Sequence, residues 1–343
     1  MRTTIRDVAE AAGVSAMAVS VVLNGAGKKK VAVSAEKAER IRQVARELRY
    51  QPNRLAHWLR NQRTNQVAVV FQHLFAIGPE NPYHIQVLNG VVTTLFPKGY
   101  AMTLCPDMIV DGKVGSISDG RFDGVLWCRP DFNGVSLDDI EHAAVPVVMM
   151  HVPPGMVAGV PTFCADNDGA MRKVVEHLTA LGHERVAFAI DPISVHTVEG
   201  RVRSEAFLKA AKKAALLDPE VLVLSDADPA LARYGTGDRL HTALVCFSDE
   251  FAGFLLASFR KRGVKVPEQV SVVGFDSTPF CETTIPRLTS VNQPVMRMAQ
   301  EATGHLLKLI REAEEGLPRS PMASCIYDCG LDIRESTARP CAR

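Results

Sequence analysis

The sequence predicts an N-terminal all-α helix-turn-helix head plus an α/β core of two doubly wound parallel-sheet lobes. Three observations carry this. Thr4 to Asn24 reads as two short helices joined by a glycine turn. From Val67 onward, continuous apolar runs alternate with amphipathic stretches, as expected of strands buried on both faces and the helices that cross between them. Charge divides at the same place. Up to Thr64 there are 13 lysines and arginines against 5 acids, and beyond it 26 against 33. A basic segment of +8 on a body of −7 suits a polyanion held by one end of the chain. A solvated charged face is the alternative.

In the head, Ile5, Val8, Ala9 and Ala12 recur at helical spacing. Thr4 with Asp7 fits a capping box, and Gly13 offers the permissive backbone a tight turn needs. Ser15 caps a second helix whose inner face is Val19, Val22 and Leu23. Its other face is Ala16, Met17, Ser20, Val21 and Asn24. A helical hairpin packed on a larger domain gives the same local pattern. After the basic loop Gly25 to Lys30, Ser34 opens a third helix with a buried stripe of Ile41, Val44, Ala45 and Leu48. Tyr50-Gln51-Pro52-Asn53 ends it, because the residue before a proline is pushed away from α. A linker reaches to Gln66.

Strands are then expected at 67–71, 100–105, 124–128, 147–151, 185–190, 220–224, 243–247 and 270–275, with helices at 85–96, 170–180, 201–215, 250–262 and 295–313. So many strands suit two similar lobes better than one sheet. The length, 343 residues, fits two or three domains, and 47% hydrophobic with 22% charged residues is an ordinary globular composition. No apolar run reaches membrane-span length and no export signal precedes the first helix, so a cytoplasmic protein is expected. The eight cysteines form no CxxC pair and read as reduced thiols. There is no GxGxxG, Walker loop or GxSxG. No catalytic residue, metal or cofactor is therefore expected.

The segments TIRDVAEAAGVS, AVSVVLN and YQPNRLAHWL resemble the DNA-binding head and hinge of the lactose-repressor (LacI/GalR) family of bacterial transcription regulators. VPVVMMH, ADNDGA, HLTALGHERVAF, VPEQVSVVGFD, PRLTSVNQPV and GLDIREST match its core in the same order. The resemblance implies a head at 1–49, a hinge helix at 50–64, a periplasmic-binding-protein-like core at 65–337 and a tail at 338–343. Lobe 1 would span about 65–163 and 294–324, and lobe 2 about 164–292 and 325–337. The chain would cross between them near Phe163–Ala165, Val291–Gln293 and Ser324–Ile326.

By the same resemblance the protein is a nucleoid-associated repressor binding a pseudo-palindromic double-stranded operator as a homodimer. No leucine heptads follow Arg334, which favours a dimer over a tetramer. Thr4, Arg6, Ser15 and Lys29 would meet the DNA backbone. Ala16, Met17 and Val21 fall on base-reading positions, with Ser20 and Asn24 as polar neighbours. The apolar trio departs from the family pattern and can meet thymine methyls but not pair with guanine edges; a core role is its alternative. Leu59, helped by Ala56, would wedge into the minor groove. Tyr50 and Asn53 precede that hinge, and His57 stands where an arginine is common. A sugar or related metabolite would bind between the lobes at Tyr83, Arg203, Asp249 and Asp276, with Trp127 and Phe163 stacking on it. A helix cap is the alternative for each aspartate. The first lobe looks shortened between Cys105 and Phe122, and Asp226–Gly237 is brief. A regulator without effector control, or a sugar-binding protein without a regulatory role, remains the alternative.

Overall fold

Helix spacing in the head and apolar runs beyond it become two structural units, Met1–Thr64 and Asn65–Arg343. The computed structural model describes residues 3–24, 33–51, 63–71, 82–105, 119–128, 137–225, 229–236, 241–318 and 324–341. The first unit holds α1 (Ile5–Ala12), α2 (Ala16–Asn24) and α3 (Ala35–Glu47). The Thr4 hydroxyl accepts the Asp7 N–H, and the Asp7 carboxylate accepts the Thr4 N–H at 2.7 Å, so two orphan donors are satisfied at once. Gly13 sits at φ 67°, where a side chain would be strained. Ser15 Oγ accepts from the Ala18 N–H at 3.2 Å, and Ser34 starts α3 in the same way. Val8, Ala9, Ala12, Ala18, Val19, Ile41 and Ala45 form the core. Leu48, expected in the buried stripe, is instead exposed, because α3 stops at Glu47 and Leu48 is already its C-cap.

The second unit carries two six-stranded sheets. The first is built from β1 (Gln66–Val70), β2 (Ala101–Cys105), β3 (Gly124–Trp127), β4 (Val147–Met150), β5 (Thr162–Ala165) and β11 (Cys325–Tyr327). Its order is β11-β5-β4-β3-β1-β2, parallel throughout. The second contains β6 (Val186–Ile190), β7 (Glu220–Val223), β8 (Ala243–Cys246), β9 (Ser271–Asp276), β10 (Thr289–Asn292) and β12 (Gly330–Asp332). Its order is β12-β10-β9-β8-β6-β7, with only β12 antiparallel. The central strands are buried on both faces, which is why they read as unbroken apolar runs. The helices α4 (Pro82–Leu95) and α10 (Val295–Glu315) cover one face of the first sheet, and α5 (Leu137–Glu141) adds Ile140 to the core on the other. On the second sheet, α6 (Asn167–Ala180) and α7 (Val198–Lys213) pack on one face, α8 (Pro229–Thr236) and α9 (Asp249–Lys261) on the other.

The chain passes between the sheets after Ala165, after Asn292 and at Asp328–Cys329. The last passage lies beyond the expected Ser324–Ile326. The three residues of β11 still pair in register with Phe163, Cys164 and Ala165 of β5 before the chain leaves. For the same reason Cys164 and Ala165 belong to the first sheet and not to lobe 2. The presumed shortening between Cys105 and Phe122 falls largely outside the described residues, while the brief segment after Asp226 does contain α8.

The α4–α10 crossing is close. A Cβ on Gly90 would stand 2.6 Å from Ala299 Cβ and 2.6 Å from the Met296 carbonyl oxygen. Gly90→Ala is therefore expected to destabilise the second unit by about 1–3 kcal/mol, the usual cost of overpacking. Urea unfolding of the full chain measures this, and an unchanged midpoint contradicts the close approach.

Candidate DNA-reading face and effector cleft

On the head, the start of α2 stands clear of the core. Met17 is 63% exposed, Ala16 is exposed and Val21 is half-buried. Val8, Ala18, Val19 and Ile41 fill the interior, so Met17 is a surface residue. Ser20 corrects the expected face. It is only 7% exposed, on the flank turned inward beside Ala18 and Val19. Thr4, Arg6 and Ser15 are exposed around the helix starts. Tyr50 is half-buried against the head core, its N–H bonded to the Ala45 carbonyl at 2.8 Å. The Asn24 side chain and all of Lys29, Asn53, Ala56, His57 and Leu59 lie outside the described residues.

In the second unit, strand C-termini and helix N-termini of both sheets converge on a cleft of about 430 Å³. From the first sheet come Tyr83, in the first turn of α4, and His151, just past β4. The Tyr83 hydroxyl lies 2.9 Å from a His151 ring nitrogen. Burial lowers the His151 imidazole and raises the Tyr83 phenol, so this pair meets a ligand uncharged. The neighbouring His84 is lowered to about 4 by burial. His151 adopts φ 68°, a left-handed conformation at the strand's end.

The second sheet supplies charge. Arg203, on α7, is 2% exposed. Its Nε donates to Asn167 Oδ1 at 3.1 Å, Nη1 to the Phe247 carbonyl at 2.5 Å, and Nη2 to Glu199 one turn back. The guanidinium lies 3.5 Å above the Phe275 ring centroid. Glu199 balances its charge, so Arg203 offers a ligand hydrogen-bond donation more than net positive charge. Asp249 accepts from the Thr278 N–H at 2.7 Å, the Thr278 hydroxyl at 3.1 Å, the Cys281 thiol at 3.1 Å and Ser290 Oγ at 2.5 Å. The helix cap itself is Ser248, so Asp249 braces the strand ends and does not cap. Asp276, at the end of β9 with φ 119°, takes Gln293 Nε2 on Oδ1 at 2.5 Å. Burial raises its carboxyl well above the usual range, and the nearby Asp249 carboxylate adds to this.

Trp127 and Phe163 do not reach the cleft. Trp127 is 0% exposed and points into the core face with Ala68, Val70 and Phe122. Phe163 packs in the opposite core, its ring 5.8 Å from His305 of α10. Each alternates inward along its strand, a direction that a short apolar run does not reveal. The aromatic lining is instead Phe247, Phe251, Phe254 and Phe280, the middle pair stacked at 5.6 Å. His151 and Glu199 were missed as well. The available signals were a polar residue directly after the VPVVMM run and a glutamate four residues before Arg203, on the same helix face.

Residues 4–53 match the profile of bacterial regulatory proteins, lacI family, and residues 175–337 that of the periplasmic binding protein-like domain. The chain thus joins a lacI-family DNA-binding head to a periplasmic-binding-protein-like domain. Among curated relatives, the chain is 27% identical to the HTH-type transcriptional repressor PurR of Haemophilus influenzae (strain PittEE), covering 92% of this chain and 93% of that one. It is 28% identical to the HTH-type transcriptional regulator DegA of Bacillus subtilis (strain 168), over 88% and 89%. The lac repressor dimer bound to operator and the anti-inducer ONPF superposes with a TM-score of 0.80, at 22% identity over 98% of this chain and all of that one. A complex of the transcriptional regulator CelR with cellobiose gives 0.63 at 27% identity, over 98% and 100%. The protein is thus a DNA-binding transcription regulator with a ligand-binding core, and not an enzyme. No described helix is long and apolar enough to cross a membrane.

The buried Asp276 carboxyl sets a pH test. A raised folded-state pKa contributes stability that is complete at acid pH and lost as pH rises through that value. Asp276→Asn keeps the shape and the Gln293 contact without the charge. It should raise the stability of the full chain by on the order of 1 kcal/mol above neutrality, with the gain vanishing toward acid pH. Melting curves across that range check this; a variant less stable at every pH contradicts it.

Proposed function

We propose that this protein is a cytoplasmic repressor that binds a pseudo-palindromic operator as a homodimer and changes its operator affinity when a sugar-like metabolite enters the cleft. The observation that carries this reading is the cleft itself, lined by Tyr83 and His151 from the first sheet and by Arg203, Asp249 and Asp276 from the second. A ligand touching both sheets favours one relative arrangement of them, and it changes DNA affinity only through that preference. The cellobiose of the CelR complex supports the sugar class. Dimeric operator binding is supported by the lac repressor complex.

On the head, Ala16, Met17 and Val21 read bases, while Thr4, Arg6, Ser15 and Lys29 hold phosphates. The hinge of Ala56, His57 and Leu59, preceded by Tyr50 and Asn53, enters the minor groove, with Leu59 as the wedge. The test is to select operator sequences with the full chain, then to screen metabolite pools for compounds that shift both its melting point and its operator affinity. A chain that selects a sequence but responds to no pool is a regulator without effector control.

Met17→Ala should lower affinity for the selected operator by about 1–2 kcal/mol and leave random DNA unaffected, because base contacts carry specificity. Arg6→Ala should weaken both alike and flatten the salt dependence. Gel-shift titrations on the two DNAs separate these outcomes. Equal loss on both for Met17→Ala removes it from the reading face.

A further inference from the structure

We propose that the ligand of the cleft is a cation, an amine-bearing sugar whose ammonium meets Asp276 and whose apolar ring face lies on Phe254 and Phe280. This rests on the reading of the cleft as the effector site.

The charges of the lining are one-sided. Asp191, Glu199, Asp249, Glu250 and Asp276 face it, and among the described residues Arg203 is its only lysine or arginine. Glu199 already pairs that guanidinium. His84 and His151 are held neutral by burial. Even with Asp249 and Asp276 protonated, the carboxylates outnumber the cation. The helix N-termini that open on the cleft would ordinarily welcome an anion. Here their first turns carry Glu199 on α7 and Asp249 with Glu250 on α9, so that attraction is already spent on the protein's own carboxylates. A sugar phosphate or an organic acid finds no uncommitted positive group among the described residues.

Asp276 distinguishes a cation from a neutral sugar. It is 7% exposed, and only Oδ1 is engaged, by Gln293; Oδ2 has no hydrogen-bond partner among the described residues. The groups facing it are Arg203 and Glu199 from α7, Asp249 from α9, Gln293 after β10 and the Tyr83 phenol from α4. Burial, with the Asp249 and Glu199 carboxylates adding to it and Arg203 opposing, favours the protonated form of this carboxyl. An ammonium would restore the carboxylate, and the proton would leave to solvent. Phe280, which also lines the cleft, lies against the helix at Gly253, where a Cβ would stand 2.5 Å from its ring. Phe254 lies on the same helix, so rings and carboxylates line one wall. Apolar faces next to negative charge are the chemistry that selects an organic cation.

The test is titration calorimetry of the full-length protein with glucosamine, galactosamine and mannosamine, each beside its parent hexose and hexose 6-phosphate. One amine should bind at least about tenfold more tightly than its parent, with no phosphate binding. Repeating the titration in buffers of different ionisation heat should reveal a released proton. Asp276→Asn should cut amine affinity about tenfold and abolish that proton; its melting curve shows that it has folded. A parent hexose or a phosphate binding as well as the amine overturns the cation and leaves the effector cleft standing. Amine binding indifferent to Asp276→Asn overturns it too. Silence from every probe overturns the ligand class, and the cleft reading is then decided by the metabolite screen.

Discussion

The second sheet's side of the cleft depends on Arg203. A guanidinium this deeply buried must have its charge paired and most of its donors occupied. The pairing reaches Glu199 on the same helix, Asn167 at the start of α6 and the Phe247 carbonyl just past β8, while the flat face rests on Phe275 of β9. One side chain therefore fixes two helix beginnings and two strand ends. Truncating it leaves Glu199 as an unpaired charge in a nearly closed site, a loss of about 3–5 kcal/mol for a buried pair broken on one side. An alanine at this position therefore tests folding before it tests ligand binding. Asp276, which touches the same cleft with fewer obligations, is the cleaner probe of recognition.

The head is held by less. Its core is mostly alanine and valine, with Ile41 the largest fully buried side chain. A segment this small buries little apolar surface, so the capping box at Thr4 and the hydroxyl caps at Ser15 and Ser34 carry a larger share of its stability than caps do in a large domain. The same economy leaves Met17 outside the core. An exposed methionine with small or apolar neighbours is a surface suited to thymine methyls, while the arginine and lysine excess of the first 64 residues suits phosphate contact without regard to sequence.

Much of this was legible in the residues. The caps at Thr4 and Ser15 follow from local chemistry, and the central strands from unbroken apolar runs. The strands β5, β10, β11 and β12 were not read as such, because each is only 3 or 4 residues long and lies where the chain changes sheet. Too short to show a period, they take their pairing from partners far away in sequence. The cleft was half legible. Arg203, Asp249 and Asp276 were found through family resemblance and do line it. Trp127 and Phe163 failed because an aromatic residue in a buried strand gives no sign of which face it takes. Ser20 failed because helical spacing put it on the face of Met17 and Val21, whereas the packing of α2 buries it.

What no residue type announces is backbone conformation. His151 and Asp276 stand at the ends of central strands, one in each sheet, and both hold positive φ, as does Ser277. Such conformations cost on the order of 1–3 kcal/mol and persist only where the surroundings enforce them. Here the enforcing contacts are polar: Tyr83 on His151, Gln293 on Asp276, and Ser290 on the Ser277 N–H at 3.0 Å. The two cleft residues are thus aimed by their own lobes. One offers a neutral hydrogen-bonding pair and the other a buried carboxyl. A ligand that satisfies both must span the cleft, and its free energy of binding is then divided between sheets that the chain joins only at its three passages. That division lets a small molecule bias the relative arrangement of the sheets, because each lobe alone supplies an incomplete site.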